Sequence, residues 1–287
     1  MAAFDLILAA ILALMMFSVA LNLRATDFAL LLQTPKAVLA GLIPQLLLLP
    51  AATWALTMAL DLPANVELAM MLVAACPGGN TSNIVSHFAK ANTALSVTLT
   101  AISSVAASAT LPLSFALMAA NNPDTASMLV ELAVDYDMLI INLVVMLAIP
   151  MALGLLLGAN RPQIANRLKQ PLARLSFALL IVFIVGGLYG QRELLTLALL
   201  PTIALVIGHN CMGLALGWSS ATVLGVAPAD RRAITIEVGM QNSALALAVI
   251  ASQFGGDIGM IVLAGLWGIW HIISGLGLAG LWRRQAI

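Results

Sequence analysis

The chain alternates long apolar stretches with short polar connections, and this pattern predicts a helical protein that crosses a membrane many times. Nine of the apolar stretches are long enough to span a bilayer, whose hydrocarbon core of roughly 30 Å takes about 20 helical residues. The predicted spans are residues 4–22, 36–60, 64–89, 92–120, 132–158, 171–189, 193–220, 229–253 and 257–282. The longest polar connection is 121–131, so we expect no soluble domain.

Two of these stretches carry helix-breaking and polar residues near their centres. The third contains the sequence CPGGNTSN at 76–83, and the eighth contains IEVGMQNS at 236–243. We expect the third helix to be broken at 77–80 and the eighth at 238–241. Backbone groups freed by a break are tolerated at membrane depth only where they are buried in protein or line a cavity. Both breaks therefore predict a binding site.

Glu237 lies inside the second of these interrupted stretches. A charged side chain at that depth costs roughly 2.5–3.5 kcal/mol even on a lenient insertion scale, so its presence favours a functional role. Two interrupted helices in corresponding positions of two halves are typical of a secondary transporter. We predict a carrier and not an enzyme, because the chain has no zinc-protease motif, no nucleophile elbow and no paired intramembrane aspartates.

Charge placement predicts how these spans are oriented. An N-terminus outside the cell places 11 of the 12 basic residues on the cytoplasmic side, and Arg192 is the exception. Cytoplasmic loops carry such an excess of Lys and Arg, so we predict N-out and C-in. The two interrupted helices then enter the membrane from opposite sides. This is the relation of an inverted repeat that pairs spans one to four with six to nine and leaves span five unpaired.

Composition agrees with a polytopic membrane protein and excludes other classes. The chain is 62% hydrophobic and 8% charged, with a formal net charge of zero, so neither a soluble domain nor a nucleic-acid partner is expected. Cys76 and Cys211 both lie in apolar stretches and lack metal-like spacing. Residues 1–22 lack a positive N-terminal region and contain Asp5, so they are expected to be a span and not a cleaved signal peptide.

The fourth stretch carries a stripe of hydroxyl residues. Ser96, Thr100, Ser103 and Ser104 are spaced so that they share one helical face. Small hydroxyl residues commonly pack membrane helices together, so the stripe alone fits either packing or a site. Its position directly after the polar residues at 80–83 favours a site.

Isolated polar residues occur in three further apolar stretches. Gln45 fits either an interhelical hydrogen bond or a site, and both interpretations stay open at this point. His209, Asn210 and His271 are expected to be interior polar groups with hydrogen-bond partners and no catalytic role.

Together these motifs resemble the bile acid:sodium symporter family. The segments that carry the resemblance are 76–83, 94–96, 209–210, 237–243 and 270–275. The likeness covers the chain from Met15 to Trp282. The chain lacks the first helix of the ten-helix bacterial members. In this it is similar to the nine-helix vertebrate members, which share the N-out, C-in arrangement.

The resemblance implies an all-α integral membrane protein of nine transmembrane helices, with an inverted repeat and two crossed discontinuous helices. It implies a single transmembrane domain over 1–287, divided into a core and a smaller panel. The core would be 33–122 plus 191–285, and the panel would be 4–22 plus 132–189.

The resemblance also implies two sodium sites at the crossing, both of which use Glu237. One site would be formed by Ser82, Asn83, Ser96, Thr100 and Glu237. The other would be formed by Gln45, Glu237, Gln241 and the backbone carbonyls of Val238 and Met240. Sodium is a hard cation that takes oxygen ligands, and hydroxyls, amides and one carboxylate supply them.

An organic anion is the expected substrate. One carboxylate shared by two sodium ions leaves a net positive charge, and the positive ends of the two inner half-helices favour an anion. The candidate substrate-binding residues are Asn80, Thr81, Asn242 and His271. The family implies a bile-acid-like molecule or a small carboxylate such as pantoate.

We therefore expect a sodium-coupled symporter that works by alternating access in the inner membrane of a bacterium, in contact with membrane lipid. A proton-coupled carrier is the alternative, because Glu237 could titrate. An intramembrane enzyme has no motif to support it. The oligomeric state stays open at this point.

Overall fold

The computed structural model describes residues 2–24, 27, 32–131, 136–190 and 199–284, and these parts of the chain are helical with no named strand. The helices are α1 (Ala2–Ala20), α2 (Pro35–Leu60), α3 (Ala64–Ala75), α4 (Asn80–Phe88), α5 (Thr93–Ala120), α6 (Pro123–Glu131), α7 (Tyr136–Asn160), α8 (Pro162–Gly190), α9 (Leu199–Val223), α10 (Pro228–Gly239), α11 (Ser243–Gln253) and α12 (Ile258–Arg283).

Length and composition identify the spanning helices. In the described residues α2, α5, α7, α9 and α12 are long and apolar enough to cross a membrane. The interrupted helices are the shorter pairs α3–α4 and α10–α11. The prediction of an all-helical membrane protein is therefore confirmed. Two predicted features lie outside the described residues: the start of the seventh span at residue 193, and Arg192, the basic residue predicted to lie on the outer side.

The two breaks lie close to their predicted positions, with a correction at each. The first break separates Ala75 from Asn80, so it begins one residue earlier than predicted. The second separates Gly239 from Ser243, so Val238 and Gly239 were wrongly placed in it and belong to α10. The physical reason is packing, because a Cβ on Gly239 would overlap the side chain of Leu214 in α9. That glycine is the last residue of α10 and permits close contact with α9.

The polar connection predicted at 121–131 is also corrected, because most of it forms α6. Pro123 occupies the first helical position, where its missing N–H costs no hydrogen bond. Asn122 Oδ1 accepts hydrogen bonds from the backbone N–H groups of Asp124 at 3.0 Å and Thr125 at 3.3 Å, which caps the helix. Asn122 Nδ2 donates to the buried carboxylate of Glu67 at 2.7 Å and so ties α6 to α3.

The sixth predicted span is also longer than its apolar stretch. It begins at Pro162 and continues through Pro171, although the prediction placed its start at residue 171. The added residues, 162–170, are mostly good helix formers that extend the apolar helix with a polar turn.

The two breaks pair with each other across the centre of the molecule. Gly78 and Gln241 form an isolated antiparallel bridge. The N–H of Gly79 donates to the carbonyl of Met240 at 3.2 Å, and the N–H of Asn242 donates to the carbonyl of Pro77 at 2.8 Å. Each break thus satisfies backbone groups that the other has lost from its helix, as membrane depth requires.

Neighbouring helices hold this crossing in place. α5 contacts α3, α4 and α10, and α9 packs along α10. α12 contacts α3, α4, α9 and α11, while α1 packs mainly against α7 and α8. The largest apolar cluster joins α1, α3, α5, α7, α11 and α12, and its largest fully buried side chains are Trp267 and Phe115.

Arg232 joins the C-terminal ends of α4 and α12 to α10. Its Nη1 donates to the carbonyls of Ala89, at the end of α4, and Trp282, at the end of α12, at 3.3 and 3.2 Å. A cation at two helix C-termini is also favoured by their dipoles. The neighbouring Arg231 lies 4.4 Å from the ring centroid of Trp218.

We predict that Arg232→Met lowers the melting temperature of the purified protein clearly more than Arg231→Met does. The first change removes a buried charged donor, which is worth about 1.5–3 kcal/mol. The second removes a cation–π contact, which is worth about 0.5–1 kcal/mol near a surface. Thermal unfolding in detergent measures both variants beside the parent. Equal losses would contradict the role given to the Arg232 guanidinium.

Candidate functional site

A buried carboxylate stands at the crossing, surrounded by hydroxyl groups from two other helices. Glu237 Oε2 accepts hydrogen bonds from Ser82 Oγ at 2.6 Å and Ser96 Oγ at 3.0 Å. Its Oε1 accepts from Thr100 Oγ1 at 2.6 Å. Asn83 Oδ1 also lies within hydrogen-bond distance of the Ser96 and Thr100 hydroxyl groups, at 2.8 and 3.3 Å. The structure therefore brings together all five residues predicted for one sodium site.

Local sequence explains why these groups converge. Asn92 caps α5 by accepting from the N–H of Leu95 at 3.1 Å, so that Ser96 lies in the first turns of the helix. Thr100 follows one turn later and faces the same way. Asn83 and Ser82 lie in the first turn of α4, directly after the break. α4 thus directs Ser82 at the carboxylate of Glu237 in α10, and α5 directs Ser96 and Thr100 at it. Asn83 meets the two α5 hydroxyl groups beside it.

Gly78 makes room for this carboxylate. A Cβ at that position would overlap Oε1 of Glu237. The adjacent Gly79 differs, since its Cβ would meet only backbone atoms of Gln241 and Asn242 at ordinary distances of 3.6 to 3.8 Å. The first glycine of the pair is therefore required by the carboxylate, and the second is not required by any contact.

A second set of polar groups meets on the α2 side of the second break. Gln241 Nε2 donates to the carbonyl of Val238 at 2.9 Å, and Gln241 Oε1 accepts from Gln45 Nε2 at 2.6 Å. Gln45 lies in Pro44–Leu48, a π-helical stretch of α2 that begins at a proline. Such stretches often occur at functional sites. Three groups predicted for the other sodium site are therefore together here.

The two remaining groups of that predicted site have other partners. The carbonyl of Met240 accepts from the N–H of Gly79. The carboxylate of Glu237 accepts its three side-chain hydrogen bonds from the first cluster. The structure thus assembles the first predicted set more completely than the second.

Buried oxygen atoms without a donor lie beside this second cluster. Gln45 Oε1 and Asn210 Oδ1 are both buried and have no hydrogen-bond partner. A buried acceptor left unpaired costs about 1–3 kcal/mol. A hard cation is the kind of group that such oxygens bind, so the second cluster fits sodium on an observation independent of the resemblance.

A large cavity lies next to the crossing. It has a volume of about 820 Å³ and is mostly apolar, within the usual size range of small-molecule sites. Asn80, Thr81, Asn242 and His271, the four candidate substrate-binding residues, all line it. Of the described residues on its wall, His271 is the only titratable one. The first residues of α4 and α11 also reach the wall, where helix N-termini favour an anion.

The two histidines differ in their surroundings. His209 is fully enclosed: its Nδ1 accepts from the indole N–H of Trp267 at 3.2 Å, and its Nε2 lies 2.8 Å from Thr53 Oγ1. The hydroxyl of Thr53 donates to the carbonyl of Leu49 at 2.7 Å, so Nε2 carries the proton of His209. His271 uses Nδ1 to donate to the carbonyl of Trp267 at 3.0 Å and reaches the cavity.

Several residues on these sites were not predicted as site residues. Ser18 of α1, Asn22 just after that helix and Ser176 of α8 line the cavity opposite the breaks. They lie in or next to helices without a break or polar cluster, so only tertiary contact reveals them. Ser103 was in the hydroxyl stripe but in neither predicted site, and it accepts from the N–H of Gly78 at 3.3 Å. Asn210 was interpreted as an interior group.

We predict that Gly78→Ala raises the sodium concentration required for half-maximal stabilisation by roughly tenfold or more, because the added methyl displaces the carboxylate of Glu237. Gly79→Ala is the matched control and should behave like the parent. The measurement is the melting temperature of purified protein at increasing NaCl, with choline chloride keeping ionic strength constant. The same loss in both variants would argue against a specific clash with Glu237.

Comparison with known proteins places this arrangement in a family. The model of the Sodium Bile acid symporter family matches residues 9–197. The uncharacterized sodium-dependent transporter YocS of Bacillus subtilis (strain 168) is 33% identical, covering 96% of this chain and 82% of the relative. The probable sodium/metabolite cotransporter BASS1, chloroplastic, of Arabidopsis thaliana is 29% identical, covering 94% of this chain and 65% of the relative.

The human ileal sodium/bile acid cotransporter is also similar, at 27% identity over 86% of this chain and 70% of the relative. The matched region contains the first break, and the alignments with relatives extend over nearly the whole chain. The relatives are sodium-dependent transporters by name, in agreement with a helical protein that carries a buried carboxylate beside a cavity. The chain belongs to the sodium bile acid symporter family.

Proposed function

We propose that this protein is a sodium-coupled symporter that carries an organic anion by alternating access. The observation that supports this best is the position of Glu237, which lies at the crossing of two broken helices with hydroxyl groups on one side and a pair of helix N-termini close by. A cation and an anion can therefore bind on opposite sides of the same short backbone segments.

Charge balance supports the binding of sodium ions together with an anion. Glu237 is the only acidic side chain among the residues proposed to bind sodium and substrate. Two sodium ions beside one carboxylate leave one positive charge, which an anion in the adjacent cavity offsets. Charges buried without compensation are costly in a membrane. Binding of all three ions together is therefore favoured over binding of sodium alone.

The proposed sodium sites are the two clusters at the breaks. The first consists of Ser82, Asn83, Ser96, Thr100 and Glu237. The second consists of Gln45, Glu237, Gln241 and the carbonyls of Val238 and Met240. In the second cluster the amide of Gln241 donates to one proposed ligand, the carbonyl of Val238. A bound ion would replace this hydrogen bond, so sodium binding and the shape of the break are linked.

The proposed anion site is the cavity wall formed by Asn80, Thr81, Asn242 and His271. No lysine or arginine lies among the described residues of this wall, so the carboxylate would bind at the N-termini of α4 and α11. A volume of about 820 Å³ with an apolar lining favours a bulky, bile-acid-like anion over a small carboxylate such as pantoate. The names of the human and plant relatives include both a bile acid and metabolites.

Coupling follows from adjacency in the second break. The side chain of Gln241 is buried against Gln45, while the next residue, Asn242, lines the cavity and caps α11. Ordering this peptide around sodium also orders the donors that hold the anion. Sodium should tighten anion binding by the same factor by which the anion tightens sodium binding.

Alternating access would move two groups of helices around this site. The cavity lies between α1 and α8 on one side and α4, α11 and α12 on the other. These two groups belong to the proposed panel, 4–22 plus 132–189, and the proposed core, 33–122 plus 191–285. We further propose nine spans with an inverted repeat, N-out and C-in, in a bacterial inner membrane. Similarity to a bacterial relative supports that location.

Proton coupling is the alternative, because the carboxyl group of Glu237 could bind a proton instead of sodium. Ser82, Ser96 and Thr100 each have a second acceptor within reach, which is the carbonyl of Gly79, Asn83 Oδ1 and the carbonyl of Ser96, respectively. Their hydroxyl groups can therefore either donate to the carboxyl group of Glu237 or accept from it. Sodium dependence of uptake at constant pH distinguishes the two carriers.

We predict that Glu237→Gln abolishes sodium-dependent uptake and reduces sodium-dependent stabilisation at both sites, because it keeps the shape and removes the shared charge. Thr100→Val should affect the first site alone, with a milder loss of roughly tenfold in sodium affinity. The measurements are sodium-dependent melting temperatures and uptake of radiolabelled taurocholate and pantoate into proteoliposomes. Normal sodium dependence in Glu237→Gln would rule out the shared-carboxylate hypothesis.

We also predict that Gly265→Leu blocks substrate binding and leaves sodium binding intact. Gly265 lines the cavity, and a Cβ there meets no atom within 4 Å, so a larger side chain enters open space. Gly277→Leu is the control, because it lies on the same helix with equally open surroundings and away from the cavity. Anion-dependent and sodium-dependent melting shifts are measured separately. Anion binding by Gly265→Leu at parental affinity would show that the cavity is not the substrate site.

A further inference from the structure

The side-chain amide of Asn210 in α9 has a hydrogen bond from its NH₂ group and none to its oxygen. Its Nδ2 donates to the carbonyl of Gly239, the last residue of α10, at 2.7 Å. Its Oδ1 is buried and has no hydrogen-bond partner, and the residue is fully enclosed. Gly239 lies between Val238 and Met240, whose carbonyls belong to the proposed second sodium site. The unpaired oxygen thus belongs to a side chain that is hydrogen-bonded to the residue between two proposed cation ligands.

Helix packing explains why Asn210 faces the break. A Cβ on Gly213 would approach the carbonyl of Val238 at 3.0 Å, and one on Gly217 would approach the carbonyl of Ile234 at 3.0 Å. These glycines follow Asn210 at spacings of three and seven residues, so all three share one face of α9. Moving along this face towards Asn210 leads towards the C-terminal end of α10. Asn210 is therefore level with the break.

The orientation of the amide follows from its partner. A backbone carbonyl can only accept, so the NH₂ group of Asn210 must face Gly239, and its oxygen must point elsewhere. Gln45 shows the same arrangement from α2: its NH₂ group donates to Gln241, and its oxygen is unpaired. α2 and α9 therefore each contribute an amide oxygen without a donor. Two such oxygens fit a small hard cation.

We propose that Asn210 is a further cation-binding residue, which holds Gly239 with its NH₂ group and supplies Oδ1 to the second sodium site together with Gln45. This inference rests on the proposed sodium coupling and adds a ligand from α9, a helix that contributes none of the residues assigned to either site above. Because the same amide binds both the ion and the break, Asn210 links cation binding to the conformation of the backbone at Gly239.

Two substitutions separate a ligand from a structural donor. Asn210→Asp keeps an oxygen and removes the NH₂ group, whereas Asn210→Leu keeps the branched shape and removes both polar groups. For a ligand, the aspartate variant retains sodium affinity and the leucine variant loses it. For a purely structural donor, the aspartate variant is at least as damaging, because a carboxylate then faces the carbonyl of Gly239.

The experiment uses the full-length purified protein with sodium as the probe. Melting temperatures are recorded from low to high NaCl, with choline chloride at constant ionic strength, and ²²Na binding is measured directly. We expect Asn210→Leu to require a sodium concentration at least roughly tenfold higher for half-maximal stabilisation. We also expect it to bind one ion fewer than the parent. Asn210→Asp should retain the parental number of ions.

Ser108→Ala is the matched control, because Ser108 Oγ is another buried, unpaired oxygen but lies in α5, outside both clusters. It should leave sodium binding unchanged. If Asn210→Leu does not fold, Asn210→Ser replaces it, since serine is too short to supply the same oxygen. Parental sodium binding in the leucine or serine variant, or weaker binding in Asn210→Asp than in either, would overturn the inference. A parent protein that binds no sodium would instead overturn the proposed function.

Discussion

Backbone groups released inside a membrane must find partners, and the structure depends on how two broken helices meet this requirement. The carbonyl of Pro77 and the N–H of Gly79 pair with Asn242 and Met240 of the opposite break. Neither break is stable at that depth without the other, because water is not available to satisfy the freed groups. The crossing is therefore a single unit, although its halves are about 160 residues apart in the chain.

This mutual pairing determines where the ionisable group lies. α10 carries Glu237 one turn before the break, and the bridge from Gly78 to Gln241 brings it against the first turn of α4. The carboxylate then occupies the space that a side chain on Gly78 would take. Hydroxyl groups on α5 complete the cluster, so the buried carboxyl group of Glu237, which is costly without partners, has several hydrogen bonds.

The same short segments have different partners on their two sides. Towards α2 and α9 they contact amides, two of which keep an oxygen without a donor. Towards α1 and α8 they border an apolar cavity. A segment of three or four residues cannot change conformation on one side without changing it on the other. This is a physical basis for the proposed coupling between a cation and an anion, and it requires no long pathway through the protein.

Local patterns in the sequence were sufficient for the helical membrane fold and the two breaks, and they singled out Glu237 and the hydroxyl stripe, whereas the grouping of these residues into one site came from the resemblance to the symporter family. The reason is that a proline, adjacent glycines and a carboxylate in apolar helices are costly, so each marks a place where the fold must compensate. Periodicity likewise placed Ser96 and Thr100 on one face. The end of α10 was predicted less well, because Gly239 serves close packing against Leu214, and a glycine looks the same in sequence whether it breaks a helix or permits contact.

Only the tertiary structure decided which residues without a local sequence signal belong to the site. The unpaired oxygen of Asn210 depends on which atom its amide meets in α10, and that contact is set by helix packing. The cavity wall formed by Ser18, Asn22 and Ser176 depends on how α1 and α8 face the crossing. The sequence by itself determined where freed backbone groups and a buried carboxyl group would require hydrogen-bond partners. The positions of their partners depended on long-range packing, which leaves no local signal in the chain.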